Sequence, residues 1–272
     1  MQSPSAAPHT MVAGLWQQRR LIMALMRREV VGRYKGSSMG LLWSLFNPML
    51  MLTVYTFVFS VVFKTRWNAA SDSRTEFALI LFAGLIVFNL FSDCINRAPG
   101  LIVSNVNYVK KVVFPIEILP VVTLGAALFH ALVSLAVWLV FYLAFFGLPQ
   151  PTALLLPFAL LPLLLLTLGS CWFLASLGVY LRDVSQVIGV LSLVLMFLSP
   201  IFFPVSALPV QYQVFLSLNP LTPVIEQVRD MLIWGRLPAA SGYLLHLGIS
   251  ALVACLGFAW FQKTREGFAD VL

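Results

Sequence analysis

Residues 117–146 read EILPVVTLGAALFHALVSLAVWLVFYLAFF, a stretch whose one formally charged side chain, Glu117, stands at its first position. As a helix it extends about 45 Å at about 1.5 Å per residue, more than the roughly 30 Å of bilayer hydrocarbon, so it must tilt or project beyond the membrane core. Further apolar runs occupy residues 39–63, 77–97, 153–181, 186–203 and 243–262. The whole chain agrees: of 272 residues 60% are apolar and 10% charged, against about 25% charged in ordinary globular proteins, and mean hydropathy is +0.94. A sphere of this size cannot hide so much apolar surface from water, whereas lipid accepts it on the outside. The expected fold is an all-α integral membrane protein with six transmembrane helices.

Six crossings place both termini on one side. Twelve of the 17 Lys and Arg then fall on that side: Arg19, Arg20, Arg27, Arg28, Arg33, Lys35, Arg97, Lys110, Lys111, Arg182, Lys263 and Arg265. Lys64, Arg66, Arg74, Arg229 and Arg236 lie opposite. The positive-inside rule therefore puts both ends in the cytoplasm. Cys94, Cys171 and Cys255 sit singly in apolar runs, with neither disulfide nor metal-site spacing.

Ahead of the first crossing, residues 1–10 are rich in Pro, Ser and Ala and are expected to be disordered. Residues 12–34 place Val12, Leu15, Trp16, Ile22, Met23, Met26, Val30 and Tyr34 on one helical arc with most charges opposite, which predicts an amphipathic helix in the membrane plane. Arg19 and Arg33 fall within the apolar arc, so each must snorkel or meet a partner. Between the fifth and sixth runs, Pro204, Pro209, Pro220, Pro223 and Pro238 cut residues 204–240 into pieces of roughly 8 to 15 residues, too short to cross. Such pieces fit re-entrant or interfacial helices on the outer face, with an ordinary outer loop as the simpler reading.

Catalysis has no visible home. The chain has 10 Asp and Glu, its three His are far apart, and no HExxH motif is present. A membrane enzyme acting on lipid-linked sugar would have to rely on Asp72, Glu76, Glu226 and Asp230. No GxxxxGK[ST] loop cradles nucleotide phosphates, so energy coupling would need a separate subunit. Polar residues gather instead in the second run, where Asn89, Ser92, Asp93 and Asn96 share one helical face and Arg97 follows Asp93 by four. Two readings fit: hydrogen bonds between helices with a local Asp93/Arg97 pair, or the lining of a conduit. Aromatic stripes at Tyr55, Phe59 and Phe63, and at Trp138 and Tyr142, suit sugar rings sliding along a conduit as well as they suit contact with lipid. Residues 104–120, SNVNYVKKVVFPIEILP, read as a short helix at the membrane surface, its basic face either recognising a cytosolic partner or serving as a positive-inside anchor.

Three stretches carry a family resemblance: RREVVGRYKGSSMGLLWSLFNPMLML (residues 27–52), NYVKKVVFPIEILP (107–120) and LNPLTPVIEQVRD (218–230). Together they resemble the transmembrane permease subunits of ABC-type exporters of lipid-linked O-antigen, capsule or teichoic acid. The resemblance implies a homodimer forming a continuous conduit across a bacterial inner membrane, driven by two copies of a nucleotide-binding subunit that holds ATP and Mg; this chain itself has no cofactor. It implies an N-terminal tail and interface helix over residues 1–35 and a permease domain over 36–272. By position, Arg27, Arg28, Glu29, Arg33, Tyr34, Lys35, Asn107, Tyr108, Lys110 and Lys111 would meet the ATPase, and Pro200, Pro204, Asn219, Pro220 and Pro223 would form the outer gate. O-antigen export is the expected function; capsule or teichoic acid export and efflux of a small lipid or drug are the alternatives within the class.

Overall fold

The structure, a computed structural model, describes residues 8–58, 74–109 and 114–272. Among these, every regular element is helical: α1 (Pro8–Gln17), α2 (Arg19–Gly32), α3 (Trp43–Phe57), α4 (Arg74–Arg97), α5 (Val106–Val109), α6 (Leu119–Phe146), α7 (Leu156–Tyr180), α8 (Val184–Leu198), α9 (Val210–Leu218), α10 (Thr222–Arg229), α11 (Ala240–Thr264) and α12 (Phe268–Val271). Among the described residues five segments are long and apolar enough to cross a membrane: Gly40–Phe57, Thr75–Gly100, Ile116–Phe146, Pro151–Tyr180 and Ala240–Val271. The run expected as a fifth crossing forms only the 15-residue helix α8, about 22 Å long, so the six-span count is not reached by length alone. Its early stop has a local cause. Pro200 disfavours helical geometry at the residue before it, and Ser199 is extended (φ −95°, ψ 148°).

The N-terminal segment differs from a single helix over 12–34. It starts at Pro8, where proline's fixed φ suits a first turn, and it breaks at Gln18, which separates α1 from α2. Residues 8–10 thus belong to a helix, not to a disordered tail. The prolines of 204–240 act as expected on length: α9 has 9 residues, α10 has 8, and one π-helical turn, Asp230–Trp234, ends at Gly235 with φ +68°.

Helix α4 forms the axis of the molecule. It is the most buried of the spans, packed by α3, α6, α7, α8 and α10. Between apolar helices in lipid the hydrophobic effect supplies little drive, so close packing and hydrogen bonds must hold the bundle together. Glycine provides a close approach between α7 and α11: a Cβ on Gly257 would collide with the carbonyl oxygen of Gly169, and one on Gly169 with the backbone at Val253 and Ala254. Indole hydrogen bonds pin two further junctions: Trp138 Nε1 donates to Leu79 O and Trp172 Nε1 to Glu117 O, both at 2.9 Å. Helix α2 lies across α6, with Ile22 and Leu25 buried against Ile118 and Val122, and Met26 covering Gly125.

Candidate functional site

The residue pattern that tilts α2 onto α6 also turns charge inward. Glu29 and Arg33 lie on the same helical side as Ile22, so docking that side carries a carboxylate and a guanidinium toward α4. Arg33 grips Asp93 with two hydrogen bonds, Nη1 to Oδ2 and Nη2 to Oδ1, each 3.1 Å. Arg97 bonds Glu29 and lies 3.7 Å from Asp93 Oδ2. The result is an alternating chain, Glu29–Arg97–Asp93–Arg33, that stitches α2 to α4. Such a chain offsets the desolvation that each charge would meet alone.

This chain borders a cavity of about 670 Å³ between α3, α4, α6 and the end of α2. Asn89, Ser92, Asp93 and Asn96 all line it, as does Tyr55, so the polar face read from the second run and part of the first aromatic stripe converge. The alternative reading of that face also holds in part, because Asn96 bonds Ser92 within the helix and accepts from Ser192 Oγ of α8 at 3.1 Å. Tyr34 lies at the cavity too, edge-on to His130 at 5.8 Å. Burial raises the Tyr34 pKa above that of an exposed phenol, against the opposing effect of Arg33, so its hydroxyl stays neutral.

The second aromatic stripe lies elsewhere. Trp138 is fully buried and Tyr142 stacks on it at 4.8 Å, both inside the apolar core, and neither borders the cavity. Spacing along α6 identified a shared face, but α4 covers that face. Phe59 and Phe63, like Lys110, Lys111 and Asp72, lie outside the described residues.

Of the residues assigned to an ATPase contact, Glu29 and Arg33 are committed to α4 and Tyr34 to the cavity. Arg28 donates to Tyr108 Oη at 2.8 Å, and Tyr108 stacks on Phe114 at 4.2 Å, which ties α2 to the segment around α5. Arg27 and Lys35 are exposed, as is Asn107. Arg19 meets the Trp16 ring and carbonyl, which resolves its place on the apolar arc.

At the other end of α4 the proline-cut segment closes on itself. Asn219 Nδ2 donates to Ser199 Oγ at 2.9 Å, while its Oδ1 accepts from Leu221 N. Arg229, 1% exposed, donates Nε to Ile80 O at 2.9 Å, Nη2 to Ile201 O at 2.8 Å, and Nη1 to Pro200 O. Burial lowers its pKa to about 9, with Glu226 opposing, so it remains a cation at neutral pH. A Cβ on Gly84 would stand 2.6 Å from Arg229 Nη2, so glycine makes room for the guanidinium. Pro200 and Asn219 belong to this clasp; Pro223 opens α10, Pro204 precedes a 3-10 turn and Pro220 is exposed. Sequence reading counted Arg229 only as an outer positive charge. Of the four acidic candidates for catalysis, Asp72 lies outside the described residues; among the described residues no group of three or more His, Cys, Asp and Glu could hold a metal ion.

Comparison with known proteins agrees with this architecture. The O-antigen export system permease protein RfbA of Myxococcus xanthus is 28% identical over 262 residues, covering 96% of this chain and 98% of that one. The protein of the same name from Klebsiella pneumoniae is 22% identical over 253 residues, covering 93% and 95%. The polysialic acid transport protein KpsM of Escherichia coli is 28% identical over 260 residues, covering 93% and 96%. The family model for ABC-2 type transporters matches residues 20–233, from α2 through the Arg229 clasp, and by that match the chain belongs to the ABC-2 type transporter membrane family.

Proposed function

We propose that this chain is the permease subunit of an ABC exporter that moves lipid-linked polysaccharide, foremost O-antigen, from the cytoplasm across a bacterial inner membrane. The observation that carries this reading is the near end-to-end similarity to O-antigen export permeases of two organisms. The cavity supports it, offering amides, hydroxyls and aromatic faces to a sugar chain. In this reading two copies form the conduit, α8 serves as a sixth crossing beside a thinned bilayer or a partner, and both termini are cytoplasmic. Tyr55, Phe59, Asn89, Ser92 and Asp93 line the path. Residues 1–35 form the tail and interface helices, and 36–272 the permease domain.

The nucleotide-binding subunits, two per dimer, bind ATP and Mg and dock on the exposed basic side of α2, at Arg27 and Lys35, and on Asn107, Lys110 and Lys111. Residues 199–235 form the outer gate. No bond in the cargo is made or broken by this chain. The test is deletion of its coding sequence: lipid-linked polymer should accumulate inside the cell and vanish from the surface, and a deletion strain with normal surface polymer would refute the proposal. A second reading, export of an acidic capsule polymer, draws on the equal 28% identity to the polysialic acid transporter.

A further inference from the structure

The polar chemistry of the cavity separates these two cargoes. Among the described residues two cations border it, Arg33 and Arg97, and both are already engaged. Arg33 is spanned by both oxygens of Asp93, and Arg97 is held by Glu29 with Asp93 beside it. Two guanidinium groups are thus balanced by two carboxylates. The remaining polar groups on the wall, among them Asn47, Asn89, Ser92 and Ser134, are uncharged amides and hydroxyls. Tyr34, Trp43 and Tyr55 add aromatic surface, and His130 Nε2 is buried there with no hydrogen-bond partner.

A glycan carboxylate entering this space would find both of these guanidinium groups already paired. It would have to displace Asp93 from Arg33, leaving a stranded carboxylate, or stand beside Asp93 as a like charge. Sugar hydroxyls make no such demand: they hydrogen-bond amides and imidazole, while the apolar faces of the rings stack on tyrosine and tryptophan.

We infer that the cavity is matched to an uncharged glycan segment and that the Glu29–Arg97–Asp93–Arg33 chain discriminates against polyanionic polymers. The inference rests on the polysaccharide-export reading. Its test uses the full-length chain in lipid nanodiscs and two probes on an identical lipid anchor, a neutral mannose tetrasaccharide and a sialic acid tetrasaccharide, with the bare anchor as reference. The wild type should bind the neutral probe several-fold more tightly than the acidic one. Asp93→Asn, which frees Arg33 and loosens Arg97, should remove most of that preference, and Glu29→Gln should move it in the same direction should Asp93→Asn fail to fold. Adding Arg33→Gln to Asp93→Asn should restore the preference. Equal or tighter binding of the acidic probe by the wild type, or an unchanged ratio in both single variants, would overturn the inference while sparing the export reading. Binding of neither glycan beyond the bare anchor would count against the export reading itself.

Discussion

Arg33 and Arg229 show two kinds of charged residue that a greasy chain retains. Arg33 was legible in the sequence because helical periodicity placed it on the wrong side of an amphipathic helix, and that misfit demanded a partner, which Asp93 supplies. Arg229 gave no such sign. Among its partners are the backbone oxygens of Ile80, Pro200 and Ile201, and a carbonyl has no signature in the residue alphabet. Replacing Arg229 with Met should strip the turn carbonyls of their donor at about 1–3 kcal/mol for each buried group left unsatisfied. The expected outcome is a clear fall in the thermal unfolding midpoint of the detergent-purified protein, with Arg229→Lys intermediate because a lysine cannot span three acceptors at fixed angles. For Arg33 and Asp93, both partly exposed, a double-mutant cycle on unfolding should give a coupling of about 1 kcal/mol or less that weakens with added salt.

Helix existence and approximate length followed from the apolar runs because spanning lipid imposes both. Their ends and facing surfaces were less legible. The run at 186–203 was read past Ser199, although Pro200 already argued against helix there. Period 3.6 shows that Trp138 and Tyr142 share a face but not which neighbour covers it, so conduit and lipid both fit the sequence where the structure has core. The glycine seam between α7 and α11 is likewise a property of two helices at once. Gly257→Ala should force them apart and lower stability by about 1–3 kcal/mol, the range for overpacked interiors. Gly242→Ala, in the same helix with nothing within 4 Å of a new Cβ, should be neutral or slightly stabilising, and melting curves of the two variants side by side separate packing from helix propensity.

Across the full chain, the prediction with the greatest reach concerns sidedness. Cysteines introduced at Lys35 and at Gln211, both exposed, should react with a membrane-impermeant maleimide from opposite faces of the inner membrane, Lys35→Cys only in inside-out vesicles and Gln211→Cys only in intact spheroplasts. Labelling of both from one face would reverse the proposed topology. The purified chain should also leave ATP intact, with hydrolysis appearing only when its nucleotide-binding subunit is added. Charge counting gives only an expected sidedness and the sequence only an expected companion, and neither could show that α4 carries attachments at both ends.

That junction imposes a rule of phase. Asp93 and Arg97 hold one end of α4 to Arg33 and Glu29 at the end of α2, and Ile80 and Gly84 seat Arg229 near the other. A helix advances about 100° per residue, so inserting one alanine between Gly84 and Asp93 would swing one attachment a quarter-turn or more away from the other. Side-chain substitutions along this stretch leave both attachments in register, but a one-residue change in its length cannot.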